Sequence, residues 1–308
     1  MIAEFGVEPE VLAEWRHFQS LWGDFGVAQR RQIGLYPKKW KRETIDRAHA
    51  LIREGRNTEM QVKKMVERMT GDGAKAKFRK TDCSDWNERP WLENAIEHRP
   101  TFDAIIAAAA PEGSGALVAG EFLRDEPPYA REPNVSIPRT VADLVGAAWP
   151  LIARAEAIVL VEPNFDPTEP RFLNPLIHLI ERLQESGAQP KRFELHTCKF
   201  RRLPAGDRLS RVRHGNYRDR VSPHMPAGWK LDVCFWAETL PEHHLHARFV
   251  LTEVGGIHYD NGLDVGEPGS TTLISGLGEA AHREIFALYS LSGAAFRSDR
   301  DNESFAVT

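Results

Sequence analysis

One short segment restricts the fold of this chain more than any other. Residues 246–253 read His-Ala-Arg-Phe-Val-Leu-Thr-Glu, so a histidine and an arginine precede three apolar residues, and a glutamate follows them. Such an apolar run is typical of a strand buried in a sheet. Because side chains alternate along a strand, His246 and Arg248 are predicted to share one face. A polar pair at the start of a buried strand predicts a functional site at the strand's end.

Strand-like and helix-like segments alternate through the second part of the chain. We predict strands over residues 102–109, 157–161, 192–198, 231–237, 247–252, 257–261 and 271–275. We predict helices over residues 140–155, 171–185 and 279–289. This alternation predicts an α/β fold in which helices cover both faces of one sheet. The polar tail from residue 297 to 308 is predicted to be mobile.

The first part of the chain has a different pattern. Amphipathic helices are predicted over residues 8–24 and 43–54, with a third starting after Asn57-Thr58. Residues 30–80 contain 16 Lys or Arg and 6 Asp or Glu, a net charge of +10, whereas the whole chain carries −4. With 308 residues the chain is long enough for two domains. We therefore predict a small basic helical region over residues 1–97, followed by an α/β domain over residues 98–308.

The cysteines and the chain's apolar segments bear on its compartment. Cys83, Cys198 and Cys234 have no Cys-x-x-Cys spacing, which argues against a disulfide framework or a zinc knuckle. The N-terminus lacks the pattern of a signal peptide, and no apolar run approaches the roughly 20 residues that cross a bilayer. We therefore expect a cytoplasmic protein with no membrane partner.

The segment around His246 resembles the signature of the phospholipase D superfamily, His-x-Lys-x4-Asp. The spacing is kept, with Arg248 at the lysine position and Glu253 at the aspartate position. A guanidinium still suits an oxyanion, although its planar fork does not replace an ammonium group for group.

Two further segments extend this resemblance. Gly255-Gly256-Ile257 and Asn261-Gly262-Leu263-Asp264 are similar to the family's turn and next strand. Residues 157–167 are similar to its early core strand, which ends in an acid-Pro-aromatic turn. The resemblance covers about residues 100–290. It implies a phospholipase D-like mixed sheet flanked by helices.

The resemblance also implies a reaction, the cleavage of a phosphodiester without a metal or another cofactor. One imidazole attacks phosphorus, a second protonates the leaving oxygen, and water then releases the phosphate. His246, Arg248 and Glu253 are accordingly the predicted catalytic residues. Because the chain offers one copy of the motif, the resemblance implies a homodimer in which two copies meet.

Two basic segments, over residues 38–80 and 199–220, predict that the substrate is DNA or RNA, since clustered cations attract a polyanion. Trp40 and Phe78 lie among the basic residues of the first segment and could stack on bases. The predicted contacts are Lys38, Lys39, Lys41, Arg42, Lys63, Lys64, Arg201, Arg202, Arg211 and Arg213. The resemblance implies a nuclease, of a kind common in bacterial genome defence or nucleic-acid processing.

Other interpretations stay open. Arg248 and Glu253 depart from the family pattern, which favours a catalytically degenerate subunit that binds nucleic acid or protein within a larger complex. Phospholipid hydrolysis ranks lowest, because no amphipathic membrane helix is evident. His244 and His246 would share a strand face as metal ligands, but a third ligand is missing, so no metal site is predicted.

Overall fold

The computed structural model describes residues 2–80, 86, 88–125, 127–130, 132, 134–153, 155–202, 208–238 and 245–308. It divides the chain into two compact units, Ile2–Pro133 and Asn134–Thr308. The boundary predicted near residue 97 falls inside the first unit and is wrong. The reason is that the strand Ala104–Ala107 pairs in parallel with the N-terminal strand Ala3–Val7.

The first unit contains a five-stranded parallel sheet. Its strands are β1 (Ala3–Val7), β2 (Arg31–Leu35), β3 (Phe78–Lys80), β4 (Ala104–Ala107) and β5 (Leu117–Val118), in the spatial order β3-β2-β1-β4-β5. Its helices are α1 (Pro9–Ala13), α2 (Trp15–Leu21), α3 (Trp40–Arg53), α4 (Glu59–Thr70) and α5 (Trp91–Glu97). The predicted helical region is therefore an α/β unit. None of these strands exceeds five residues, which is too short to display a distinct apolar period.

Local sequence explains where the helices of the first unit start. The hydroxyl of Thr58 accepts the backbone N–H of Gln61, and the side chain of Gln61 accepts the backbone N–H of Thr58. This capping box fixes the start of α4. The helix predicted over residues 8–24 is interrupted, because Glu14 is extended between α1 and α2.

The second unit is built on an eight-stranded mixed sheet and a separate hairpin. Its strands are β6 (Asn134–Pro138), β7 (Ala157–Val161), β8 (Arg192–Cys198), β9 (Phe200–Arg202), β10 (Arg208–Ser210), β11 (Leu231–Trp236), β12 (Phe249–Thr252), β13 (Gly255–Tyr259), β14 (Thr271–Gly276) and β15 (Glu303–Val307). The sheet order is β15-β11-β8-β7-β12-β13-β14-β6, and β9 pairs with β10. β7, β8 and β11 are parallel, whereas β12 is antiparallel to β7.

Helices cover the central strands of this sheet on both faces. They are α6 (Val141–Ile152), α7 (Pro170–Glu185), α8 (His214–Val221), α9 (Glu279–Leu288) and α10 (Ala294–Ser298). Leu160 and Val250 line an apolar space with residues of α6 and α7. Val159 and Leu251 belong to a separate core cluster with Tyr289, which follows α9. This burial on two sides explains why β7 and β12 are continuous apolar runs.

The predicted α/β class is confirmed: the structure has two sheets flanked by helices. The tail predicted to be mobile instead contains β15, which pairs with β11 from Leu231 opposite Val307 to Phe235 opposite Glu303. Among the helices of the described residues, none is long and apolar enough to cross a bilayer.

Candidate functional site

Glu162 is the first residue after β7, and its side chain is buried at that end of the strand. One carboxylate oxygen accepts the backbone N–H of Asn164 at 3.1 Å, and the other accepts that of Leu263 at 2.9 Å. Burial raises the pKa of Glu162, although these hydrogen bonds and the nearby Arg248 oppose the shift. The carboxylate thus fastens the turn after β7 to the segment after β13.

A second carboxylate, Asp264, lies against two arginines. Arg139 donates through Nη2 to Oδ1 at 2.6 Å, and Arg171 donates through Nη1 to Oδ2 at 3.4 Å. Gly262 separates the two acids, with a φ of 107°. A Cβ at Gly262 would lie 2.9 Å from an oxygen of Asp264 and 2.9 Å from an oxygen of Glu162. Only glycine fits there, because both the backbone angle and the space exclude a side chain.

Arg248 lies beside Glu162, directly before β12. Its Nε is 4.0 Å from Oε1 of Glu162, and its Nη1 donates to the carbonyl oxygen of Asp260 at 3.4 Å. The Nε atom is buried and has no hydrogen-bond partner among the described residues. The guanidinium therefore keeps an unused donor. We call Glu162, Asp264, Arg139, Arg171 and Arg248 the edge cluster.

His246 lies two residues before Arg248 and is exposed. Residues 245–248 lie outside any strand, and β12 begins at Phe249, so the prediction that a strand places His246 and Arg248 on one face is wrong. The backbone hydrogen bonds to β13 extend from β12 back to Arg248, whose carbonyl oxygen accepts the N–H of Tyr259 at 2.9 Å. On the other side of His246, Leu245 is buried and its backbone N–H donates to Oε1 of Glu238 at 2.9 Å. The segment is thus held on both sides of an exposed imidazole.

Glu253 lies at the other end of β12. Its carboxylate accepts the backbone N–H of Glu156 at 3.1 Å and of Ala157 at 3.0 Å, where β7 begins. Five residues of extended chain, about 17 Å, separate it from Arg248. The predicted role of Glu253 beside the imidazole is therefore wrong: it caps a strand. Glu162 is the acid that accompanies Arg248.

The predicted nucleic-acid contacts divide between the two units. In the first unit Lys38, Lys39, Arg42, Lys63 and Lys64 are exposed, at the start of α3 and on α4. In the second unit Arg213 is exposed and Arg211 is half-buried, just before α8. Arg201 and Arg202 belong to β9, and their side chains lie outside the described residues.

Three predicted contacts of the first basic segment have structural roles. Trp40 is fully buried, and its indole N–H donates to the carbonyl oxygen of Val7 at 2.5 Å. Phe78 is also buried, and the ammonium of Lys41 lies 4.0 Å from its ring centroid. Burial lowers the pKa of Lys41. The prediction that Trp40 and Phe78 stack on bases is wrong, because both rings form the core between α3 and the sheet.

The proposed histidine pair for a metal cannot be placed, because His244 lies outside the described residues. A different group of ligand types, Glu194, His196 and Cys234, has its atoms within 4.8 Å of one another. The indole N–H of Trp236 donates to Nδ1 of His196 at 2.9 Å, and Nε2 of His196 lies 2.9 Å from Oε2 of Glu194. Because an indole can only donate, Nε2 must carry the proton. Both imidazole nitrogens are therefore engaged within the protein.

The charge in this buried group is balanced internally. Burial raises the pKa of Glu194, but hydrogen bonds from His196 and Arg192 more than offset it and lower that pKa to about 2. Burial lowers the pKa of His196, against the effect of Glu194. An ionised Glu194 paired with Arg192 and a neutral His196 satisfy each other, so this arrangement is a structural network between β8 and β11.

Sequence reasoning missed four members of the edge cluster as site residues. Glu162 had a usable signal, because it is an acid directly after an apolar segment and directly before Pro163, and Asp264 had a weaker one, because it closely follows the turn residues Asn261 and Gly262. Arg139 and Arg171 had none, since each lies at the start of a helix, far along the chain from Asp264.

No family model matches this chain, and no curated protein matches it. Among solved structures it is similar to TrmBL2, an archaeal chromatin protein described as showing a novel mode of DNA binding. That match has 11% sequence identity and a TM-score of 0.22, and covers 88% of this chain and 75% of the other. At this TM-score the likeness carries no argument about fold or function.

Proposed function

We propose that residues 134–308 form a phospholipase D-like domain that cleaves nucleic-acid phosphodiesters without a metal, as a homodimer. The observation that carries the proposal is the state of Arg248. Its buried Nε lies beside the carboxylate of Glu162 but has no hydrogen-bond acceptor among the described residues, and His246, two residues earlier, is exposed. A buried N–H that makes no hydrogen bond is costly, and a nonbridging phosphate oxygen would accept one from it.

The proposed reaction has two steps. A ring nitrogen of His246 attacks phosphorus, a P–N bond forms, and the P–O bond to the leaving nucleotide breaks. The leaving oxygen takes a proton from His246 of a second copy. Water then attacks the phosphohistidine, gives its proton to that second imidazole, and restores both histidines. Arg248 stabilises the negative charge on the nonbridging oxygens throughout.

Charge supports nucleic acid as the substrate. Exposed cations lie on both units, at the start of α3, along α4 and before α8. A polyanion that contacts such residues displaces counterions, so its binding is expected to weaken steeply as salt increases. Salt-insensitive binding would instead indicate a protein partner.

The test is cleavage of labelled single- and double-stranded DNA and RNA in EDTA. We compare the wild type with His246→Ala, and use His224→Ala, an exposed histidine after α8, as the matched control. The proposal predicts cleavage by wild type and control and none by His246→Ala. Cleavage that survives in His246→Ala, or disappears in EDTA, contradicts it.

The second candidate is a binding subunit that has lost catalysis. It is favoured by Glu253, whose carboxylate is occupied by two backbone N–H groups far from the imidazole. This candidate predicts nucleic-acid binding by the wild type and no cleavage of any substrate. In the same assay, retained binding without product would select it.

A further inference from the structure

A cavity of about 230 Å³ opens beside the turn that follows β7. One wall is residues 164–169 with Arg171, and the other is Ser210, Arg211 and the start of α8. The cavity adjoins the edge cluster, because Arg171 also binds Asp264, and Asn164 also donates to Glu162. Its volume leaves room for a small anion together with bound water.

The unsatisfied hydroxyl of Tyr217 points to a ligand here. Tyr217 lines the cavity and is 1% exposed, and its oxygen is buried without a hydrogen-bond partner in the described part of the chain. Burial raises the pKa of Tyr217, an effect that Asp166 adds to and Arg211 opposes, so the hydroxyl stays protonated and can donate. Buried hydroxyls in folded proteins are almost always hydrogen-bonded, and an acceptor bound in the cavity would satisfy this one.

The cations around the cavity specify the charge of that ligand. Arg213 is exposed, and it forms no ion pair within the described ranges. Arg211 is held in place through the carbonyl oxygen of Pro163 at 3.1 Å and Oδ1 of Asn164 at 3.3 Å. The N-terminus of α8 also faces the cavity through Asn216, and its partial positive charge favours an anion.

The acidic residues of the cavity are already engaged. Asp166 accepts the backbone N–H and the hydroxyl of Thr168 at 2.9 and 2.7 Å, and Glu169 accepts Nε of Arg171 at 2.7 Å. Three arginines therefore face two carboxylates that have partners of their own. Within the described ranges, the side chain of Arg213 and the hydroxyl of Tyr217 are donors that remain available to a ligand.

We infer that this cavity is an oxyanion subsite that holds a phosphate of the bound nucleic acid beside the edge cluster. Tyr217 and Arg213 donate to the phosphate, and Arg211 and the start of α8 supply positive potential. The inference that the phosphate belongs to a nucleic acid, which we call its carrier, rests on the proposed function. The affinity of the cavity for phosphate does not, so the two can be tested separately.

The experiment is calorimetric titration with inorganic phosphate, at an ionic strength held constant with chloride. The variants are Tyr217→Phe and Arg213→Gln, with Arg218→Gln, an exposed arginine of α8 that does not line the cavity, as the control. The wild type and the control are expected to bind phosphate. Tyr217→Phe is expected to bind it about tenfold or more weakly, the worth of one hydrogen bond to a charged group. Equal binding by wild type and Tyr217→Phe, or no binding by the wild type, overturns the inference.

Folding of the variants can be checked directly. Because the hydroxyl has no hydrogen-bond partner in the part of the chain that the structure describes, Tyr217→Phe should melt no earlier than the wild type without phosphate. If that variant unfolds, Arg213→Gln carries the test, since its side chain lies at the surface.

Two further measurements test separately whether the phosphate belongs to a nucleic acid and whether the proposed reaction occurs. A short single-stranded DNA should bind Tyr217→Phe more weakly than the wild type, and phosphate should compete with it. Unchanged DNA binding by Tyr217→Phe would mean that free phosphate is the ligand and would overturn the inferred carrier. Phosphate binding that persists in His246→Ala while cleavage also persists would refute the proposed reaction and leave the subsite intact.

Discussion

The indole N–H of Trp236 donates to Nδ1 of His196 across 2.9 Å, in the interior of the second unit. This hydrogen bond fixes the tautomer of His196, because the indole has no lone pair to accept with. A second proton on the imidazole would need Nδ1, and it would break the bond to Trp236. The histidine is thus held neutral by geometry as well as by burial.

His196 should therefore make folding sensitive to acid. The pKa of His196 in the folded chain lies below the ordinary value of 6.5. Below pH 6.5, therefore, this imidazole binds a proton in the unfolded chain but stays neutral in the folded chain. Unfolding free energy should fall as pH falls from 6.5 toward the folded pKa, by up to about 1.4 kcal/mol per pH unit from this group. Urea unfolding at pH 7.5, 6.5 and 5.5 measures the loss. NMR resonances of the His196 ring that titrate at or above pH 6.5 would contradict the prediction.

Glu253 should matter for stability and not for chemistry. Glu253→Ala removes the acceptor of the backbone N–H groups of Glu156 and Ala157, which are partly exposed to water, and we expect a cost of about 1 kcal/mol in urea unfolding. Glu267→Ala, at an exposed position, is the control and should change little. A variant with wild-type stability and weakened substrate turnover would show instead that Glu253 acts at the site.

Gly262 should tolerate no side chain. Gly262→Ala combines a φ of 107° with a Cβ 2.9 Å from two carboxylate oxygens, and we expect a loss of about 3 kcal/mol or more. Gly269→Ala is matched in backbone, with a φ of 84°, but its Cβ would meet nothing within 4 Å. It should cost only the backbone part, about 1–2 kcal/mol. Equal losses for the two variants would mean that the acids move apart easily.

The two arginines that bind Asp264 should differ in importance. The side chain of Arg139 is 18% exposed, and its Nη2 lies 2.6 Å from Oδ1 of Asp264. The side chain of Arg171 is 52% exposed, and its Nη1 lies 3.4 Å from Oδ2 of Asp264. Arg139→Gln should therefore cost about 2–3 kcal/mol, close to the loss of a buried pair, and Arg171→Gln at most about 1 kcal/mol. Thermal or urea unfolding of both variants decides the order. A reversed order would mean that Arg171 is the main partner of Asp264.

The sheet of the second unit could be predicted where apolar runs are buried on both faces. The strands predicted over residues 157–161 and 192–198 match β7 and β8 in both bounds. β15 could not be predicted, because most of its residues face solvent and its pairing with β11 is made by backbone groups. The phospholipase D-like identity of this sheet stays a prediction.

The candidate site was predictable only in part. His246 and Arg248 follow from one local pattern, and they lie at the same end of β12. Glu253 was misplaced, because spacing along a strand does not reveal which of its ends holds the site. Tyr217 gave no signal, since whether a hydroxyl finds a partner depends on the fold around it.

The edge cluster also has a consequence for kinetics. Arg139 reaches Asp264 across 125 positions of the chain, and Glu162 reaches Leu263 across 101. Contacts between residues so far apart in the chain form late, because closing a long loop costs conformational entropy before the contact can contribute any favourable energy. A refolding chain should regain its helical circular dichroism first. The phosphate binding inferred for the cavity beside the edge cluster should return in the slowest phase, so that binding of phosphate reports when the full topology has formed.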